Sequence, residues 1–161
     1  MLLTRLGRRP DGARGVTLIE LLVAIAVMLV LTGVVVPTVK FAVKRQRELE
    51  LRRALRTMRR GIDDYKKLCD AGVFQKEGVD SECYPPELDT LVKGVERMGG
   101  LGQKIKFLRR IPYDPMTRGY EWGLRSYQDE ADSDSWGRQN VYDVYTRAGG
   151  KALDGTNYKD W

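Results

Sequence analysis

The chain opens with a short basic leader that runs directly into an apolar segment. Residues 16–36 form a run of 21 in which Thr17, Glu20 and Thr32 are the only polar side chains. At ~1.5 Å of rise per residue, a helix of this length spans the ~30 Å hydrocarbon core of a bilayer. The run is longer than the apolar part of a secretory signal peptide and continues without a small-residue cleavage site, so it predicts a retained membrane helix.

An amphipathic helix is predicted to continue this run. Its apolar residues alternate at spacings of four and three and form one apolar stripe: Leu51, Leu55, Met58, Ile62, Tyr65 and Cys69. Five arginines form a basic arc centred about 140° from the stripe, at ~100° per residue. They are Arg52, Arg53, Arg56, Arg59 and Arg60. We expect the apolar stripe to face a globular domain and the basic arc to face away from it.

Pro37 lies at the end of the apolar run. A proline there removes one helix hydrogen bond and favours a kink or local melting. A simple break of the helix where the chain leaves the membrane explains the same residue equally well.

The rest of the chain predicts one small domain. Residues 84–94 have proline near the start and glycine at the end, as a short helix does, and residues 99–102 form a glycine-rich loop. Residues 120–126 and 141–146 are β-prone. The expected fold is α+β, with a long N-terminal helix packed on a short helix and a small antiparallel sheet of two to four strands.

The predicted organisation has four parts. A leader occupies residues 1–15, a membrane helix residues 16–36, its amphipathic continuation residues 37–69, and the small domain residues 70–161. The leader carries Arg5, Arg8, Arg9 and Arg14 against Asp11. By the positive-inside rule it stays cytoplasmic, and everything after the apolar run is exported.

Glu20 is the residue that a plain anchor does not explain. A carboxylate one turn inside a bilayer costs on the order of 2.5 kcal/mol or more. Its presence indicates a function, the alternative being an acid that snorkels to the membrane surface.

The junction from Gly15 through Val16 to Glu20, followed by the long apolar segment, resembles the class III signal of type IV pilins and type II secretion pseudopilins. The resemblance implies that a prepilin peptidase cuts between Gly15 and Val16 and methylates the new amino terminus at Val16. The family usually has phenylalanine or methionine at that position, so Val16 is a departure. The resemblance also implies that Glu20 pairs with the amino terminus of a neighbouring subunit during assembly, which offsets two desolvation costs.

A second block of similarity lies in the small domain, in residues 107–115, 134–137, 142–146 and 158–161. These residues resemble the major pseudopilins of type II secretion. The resemblance implies a single-pass protein of the bacterial inner membrane with a periplasmic domain, polymerised with itself into a filament that drives protein export. The implied partners are the prepilin peptidase, the minor pseudopilins and the inner-membrane assembly platform. The alternative is a type IV pilus subunit for motility, adhesion or DNA uptake, although true pilins usually have a larger sheet and a C-terminal disulfide loop.

The same resemblance implies a calcium ion in the terminal loop, because that family binds one there through carboxylates and carbonyls. This chain departs from the pattern, since residues 147–152 contain no carboxylate. The remaining candidate ligands are Asp154 and Asp160, with Asp143 nearby. The alternative is that Asp154 forms a turn with Gly155 and that Asp160 is surface charge.

Cys69 and Cys83 are the two cysteines of the chain. An exported location permits them to pair, and closing the 15-residue loop contributes ~3 kcal/mol in the chain-entropy model. Because the 161 residues contain no histidine, a cysteine–histidine catalytic pair and a zinc–histidine site are excluded. The pairing itself stays open at this point, with two free thiols as the alternative.

The positive charge and the acidic residues allow two further functions, nucleic-acid binding and catalysis, but no motif in the sequence points to either. The chain has a formal charge of +6, and loss of the leader would leave 24 basic and 21 acidic residues, a charge near +3. No aromatic residues interleave with the basic arc to stack bases, so we expect no nucleic-acid partner and favour pairing between subunits. If the protein were a membrane-anchored enzyme, its catalytic carboxylates would come from one polar stretch. That stretch has the composition of a solvated loop, so we expect that the protein is not an enzyme. These carboxylates are Asp129, Glu130, Asp132 and Asp134.

Overall fold

The structure, a computed structural model, describes residues 15–78, 81–100 and 102–161. The described residues fall into two compact units, one ending at Phe41 and the other beginning at Ala42. The leader as far as Arg14 and its expected cytoplasmic position lie outside the described residues. The fold class is the expected α+β, with a long N-terminal helix and a small C-terminal domain that contains short antiparallel sheets.

Helix α1 runs Leu18–Asp70 and is 53 residues long. Thr17 caps its start, because the Thr17 Oγ1 accepts the N–H of Glu20 at 3.3 Å and the Thr17 carbonyl accepts the N–H of Leu21 at 3.1 Å. The helix therefore begins at the third residue of the chain that cleavage after Gly15 would leave.

Helix α1 ends in a Schellman motif built on Gly72. The N–H of Gly72 donates to the carbonyl of Cys69 at 2.8 Å, and the N–H of Val73 donates to the carbonyl of Leu68 at 3.0 Å. Gly72 has a φ of 69°, a left-handed conformation that glycine adopts without the steric cost of a Cβ. The long helix thus has a defined stop one residue after the predicted end.

Pro37 lies inside α1, and the helix continues on both sides of it. The local melting or break that Pro37 allows is therefore not observed. The hydroxyl of Thr38 donates to the carbonyl of Val35 at 2.7 Å, which satisfies one acceptor in this turn. A kink at Pro37 stays a prediction.

The second unit has its core on the apolar stripe of α1. All six stripe residues are buried, with Leu51 and Met58 at 0% exposure, as predicted. The remainder of the core comes from the domain and includes Phe74, Leu91, Leu108, Trp122, Val141 and Val144. The helix and the domain share one core, because a single cluster of buried apolar residues contains members of both.

Helix α2, Leu88–Lys93, lies within the predicted residues 84–94. It stops at Gly94, which has a φ of 80°. Strand β1, Val95–Glu96, then pairs antiparallel with β2, Lys104–Ile105, in the register Val95↔Ile105. The predicted glycine-rich loop lies between them, but the strands were not predicted, because two residues are too few to show alternation.

Strand β3, Gly123–Arg125, pairs antiparallel with β4, Asp143–Tyr145, in the register Leu124↔Val144. Each lies within a segment predicted as β-prone. The four strands of the described residues form two separate two-stranded antiparallel sheets. A 3₁₀ turn, Tyr158–Asp160, closes the chain.

The prediction that the basic arc faces away from the domain is wrong for two of its members. Arg59 donates to Asp143 at 2.6 Å and Arg52 donates to Asp154 at 3.0 Å. Of the five, these two lie nearest the apolar stripe, ~80° and ~100° from its centre at ~100° per residue, where a long side chain reaches acids on the domain. The other members of the arc are exposed: Arg53, Arg56 and Arg60.

Candidate processing and assembly site

The predicted cleavage point lies in a short non-helical segment, residues 15–17, just before α1. Gly15 and Val16 are both exposed, and a Cβ placed on Gly15 would meet no atom within 4 Å. A peptidase needs an extended, accessible backbone, which a peptide bond inside a helix does not offer. The local structure therefore leaves the Gly15–Val16 bond open to a protease.

Glu20 lies in the first turn of α1 and is exposed. Its backbone N–H is held by the Thr17 hydroxyl, and among the described residues its carboxylate has no ion pair. An acid in the first turn of a helix is favoured by the partial positive charge of the helix terminus. The carboxylate is therefore exposed in the first turn of the helix.

The described part of the first unit is almost wholly apolar and exposed. Helix α1 is long and apolar enough to cross a membrane, and none of its most apolar stretch is buried in the structure. Val30 and Leu29 are 71% and 68% exposed. Exposed apolar surface of this extent is incompatible with water as its only surroundings, which indicates membrane anchoring.

Cys69 and Cys83 are joined by a disulfide, with 5.6 Å between their Cα atoms. The bond connects the last turn of α1 to the segment before α2. The sequence left this pairing open, and the fold places the two residues close enough to bond.

The candidate calcium ligands are engaged with protein groups. Asp154 Oδ2 accepts from Arg52, and its Oδ1 accepts the N–H and the hydroxyl of Thr156 at 3.0 and 2.6 Å. These bonds hold the pKa of the Asp154 carboxyl below its usual value, the Thr156 hydroxyl contributing most. Asp160 accepts from Asn157 at 2.9 Å.

A calcium ion here would have to compete with the protein groups that already bind the candidate carboxylates. Calcium takes six to eight oxygen ligands, usually with several carboxylates, whereas no group of three acidic or cysteine side chains that could hold a metal occurs among the described residues. Asp143, the third candidate, is bound by Arg59. Asp154 and Gly155 lie in a turn, as in the alternative to a calcium site, and Gly155 has a φ of 88°.

Sequence reasoning missed Glu48, a buried acid on α1. Its Oε1 accepts the N–H of Leu153 and the hydroxyl of Tyr158, each at 2.9 Å. Burial first, and then the bond to Glu48, raise the pKa of Tyr158 to about 12. A signal was present, because Glu48 lies three residues before Leu51 and so extends the apolar stripe by one step.

The acidic stretch considered for catalysis is a structured loop. Asp129 Oδ2 accepts the N–H groups of Ser126 and Gly137 at 2.7 and 3.0 Å, and these bonds lower the pKa of the Asp129 carboxyl. A general acid needs a raised pKa. Asp134 pairs with Lys159 at 3.2 Å. The geometry supports roles in loop structure for these two carboxylates.

Comparison with known proteins bears on the amino-terminal segment. Residues 11–36 match the prokaryotic N-terminal methylation motif. The match covers 26 of the 161 residues and includes Gly15, Val16 and Glu20. No curated protein and no solved structure matches the chain. The methylation motif, a prepilin-type signal, supports a type IV pilin-like protein, and with the exposed apolar helix it suggests a single-pass, structural membrane protein.

Proposed function

We propose that this protein is a structural subunit of a periplasmic pseudopilus that drives protein export through type II secretion. A prepilin peptidase cuts the precursor after Gly15 and methylates Val16. The mature protein stays in the bacterial inner membrane by its apolar helix, with its domain in the periplasm, until it is polymerised with copies of itself. Minor pseudopilins and an inner-membrane assembly platform are its further partners.

The proposal depends mainly on the methylation motif at residues 11–36. This motif includes the Gly15–Val16 bond, whose two residues are exposed. Thr17 starts α1 only after this bond, so cleavage would leave the helix and its cap intact. The product would present a charged amino group on Val16, four residues before Glu20 in the first helical turn.

Glu20 has a clear role in this scheme. Its carboxylate costs on the order of 2.5 kcal/mol or more at membrane depth, and the new amino terminus carries a comparable cost. Pairing with the amino terminus of a neighbouring subunit neutralises both charges, and that gain exists only in the filament. The exposed carboxylate in the described structure is consistent with a partner supplied by another chain.

Two features of the domain favour a pseudopilus over a type IV pilus. Pilins usually have a larger sheet and a disulfide that closes a C-terminal loop. In the part of the chain that the structure describes, each sheet has two strands, and the disulfide joins Cys69 to Cys83 at the end of α1. The terminal residues resemble those of major pseudopilins, apart from the altered calcium loop.

The first experiment measures the N-terminal mass of the protein from membranes of cells with and without the prepilin peptidase. We expect a methylated chain starting at Val16 only when the peptidase is present. Gly15→Leu should block this cleavage, while Gly12→Leu, a matched change within the leader, should not. A chain that starts at Met1 in both strains would refute the proposal and reduce the protein to a membrane anchor.

A second experiment separates the two machines. Deletion of the gene should abolish export of secreted proteins through the outer membrane and leave twitching motility and DNA uptake unchanged. Loss of motility or transformation with normal secretion would instead assign the subunit to a type IV pilus.

A third experiment tests Glu20. Glu20→Ala should leave membrane insertion and cleavage intact but lower the yield of sheared filaments at least ~10-fold, the effect of losing about 1.4 kcal/mol per subunit contact. Thr32→Ala removes another polar group of the same apolar run and serves as the control. Normal filaments from Glu20→Ala would rule out the pairing.

A further inference from the structure

We infer that the terminal segment, residues 150–161, is fastened to α1 by Glu48 and Arg52, and that this side-chain clamp makes the folded domain independent of calcium. The inference concerns how the domain is held together, and it stands whether or not the protein forms a filament.

The terminal segment is a tight hairpin with a short 3₁₀ end. Lys151 and Asn157 form an antiparallel bridge, and the N–H of Ala152 donates to the carbonyl of Thr156 at 2.8 Å. The indole N–H of Trp161 then folds back onto the Thr156 hydroxyl at 2.7 Å. The segment is therefore ordered by its own hydrogen bonds and can be held as one piece.

Glu48 supplies the buried half of the clamp. A single oxygen, Oε1, accepts both the Leu153 N–H and the Tyr158 hydroxyl, which lie on the two sides of the hairpin turn. Glu48 and Tyr158 are each only 6% exposed. Charge-assisted hydrogen bonds to a buried carboxylate are strong, and loss of the acceptor leaves buried donors unsatisfied.

Arg52 supplies the outer half, one turn further along the helix. Its guanidinium donates to Asp154 at 3.0 Å and lies 4.0 Å from the centre of the Trp161 ring. Lys44, one turn before Glu48, donates to the Lys151 carbonyl at 2.7 Å. Three residues at spacings of four thus face the terminal segment along its length.

These contacts occupy the positions that a cation would need. A metal ion at Asp154 would displace the Thr156 bonds and would lie beside the positive charge of Arg52. The repulsion of two like charges at contact distance opposes binding. Residues 147–152 supply no carboxylate for a calcium ion, and Arg52 neutralises the charge of Asp154. In the terminal segment a side chain therefore takes the place of the ion.

The first test is made on the full mature chain in detergent micelles, without any substitution. Thermal unfolding is followed by near-ultraviolet circular dichroism in about 5 mM CaCl₂ and in excess EGTA. Calcium at this level would saturate a site with a dissociation constant near 10⁻⁴ M and would raise the melting temperature by several degrees. We expect the two melting temperatures to agree within about 1 °C. A larger rise with calcium would overturn the inference.

The second test uses hydrogen exchange on variants of Glu48. Glu48→Ala should speed exchange of the amides in the terminal segment at least ~10-fold relative to those of α2. Glu48→Gln keeps an oxygen at the same place and should retain most of the protection. If Glu48→Ala does not fold, Arg52→Gln gives the same comparison at the exposed half of the clamp. Unchanged protection of the terminal segment in the variant would overturn the inference.

Discussion

Asp143 joins α1 to both strands of the second sheet, and Asp143→Ala should destabilise the domain strongly. Its Oδ1 accepts from Nε of Arg59 at 2.6 Å and its Oδ2 from Nη2 of the same residue at 3.1 Å. Arg125 of β3 lies 3.9 Å from Oδ2, with its side chain only 9% exposed. The substitution therefore leaves two guanidinium groups without their carboxylate, one of them buried.

The magnitude lies between two known limits. Exposed ion pairs contribute about 0.2–1 kcal/mol, and breaking a buried pair costs about 3–5 kcal/mol. The Arg59 and Asp143 side chains are 36% and 24% exposed. Arg125 keeps a hydrogen bond to the Ser133 carbonyl at 3.0 Å. We therefore expect a loss of about 2–3 kcal/mol, which lowers the melting temperature of a domain of this size by roughly 8–15 °C.

The assay is thermal unfolding of the mature chain in detergent, in a double-mutant cycle with Arg59→Ala. We expect a coupling of about 1–2 kcal/mol between the two positions. Asp132→Ala removes an exposed loop carboxylate with no ion pair among the described residues and should leave the melting temperature unchanged. A shift of less than about 2 °C for Asp143→Ala, or strictly additive effects in the cycle, would refute the reasoning.

Three further predictions concern the stability of the domain. Reduction of the Cys69–Cys83 disulfide should cost about 3 kcal/mol and lower the melting temperature, and intact mass before and after reduction with alkylation should show two blocked thiols in the native protein. Folding raises the pKa of Tyr65 and Tyr158 to about 12, so their contribution to stability should be complete below pH ~10 and should be lost as the pH rises toward 12. Burial also raises the pKa of Tyr84, so absorbance at 295 nm should show these three tyrosines ionising later than the others, and a single transition near pH 10 would contradict this. Gly72→Ala should destabilise the end of α1 by about 1 kcal/mol, because alanine is strained at a φ of 69°, and an unchanged melting temperature would argue against the Schellman stop.

Local pattern was sufficient for the two α-helices and for the segments that contain β3 and β4, but not for β1 and β2. The alternation of three and four identified the buried stripe from Leu51 to Cys69, and every member of it is buried. Gly94 marked the end of α2, and the β-prone segments contained β3 and β4. These features depend on the period of one helix or strand and on the backbone conformations that glycine allows. Both can be recognised from residues that are close together in the sequence.

The candidate processing site was also predictable, because it consists of consecutive residues. Gly15, Val16 and Glu20 lie within six positions. Their proposed role depends on the point where the basic leader meets the apolar segment, which can be seen directly in the sequence. The structure added the Thr17 cap and the accessible backbone before α1.

Charge pairing was where sequence reasoning failed. Arg59 was assigned to a solvent-facing arc, yet its partner Asp143 lies 84 positions away in the chain. An arginine at the border of an apolar stripe can point either way, and the choice depends on which acids the folded domain places within reach.

The sequence by itself therefore determined a long helix with an apolar first half, a second half with one buried face, and the junction at Gly15 where we propose cleavage. Only the tertiary structure decided what holds the end of the chain, because Glu48 and Tyr158 are 110 positions apart. Periodicity reports which face of an element is buried. It carries no information about which distant polar group will be buried with it, since that depends on how the elements pack.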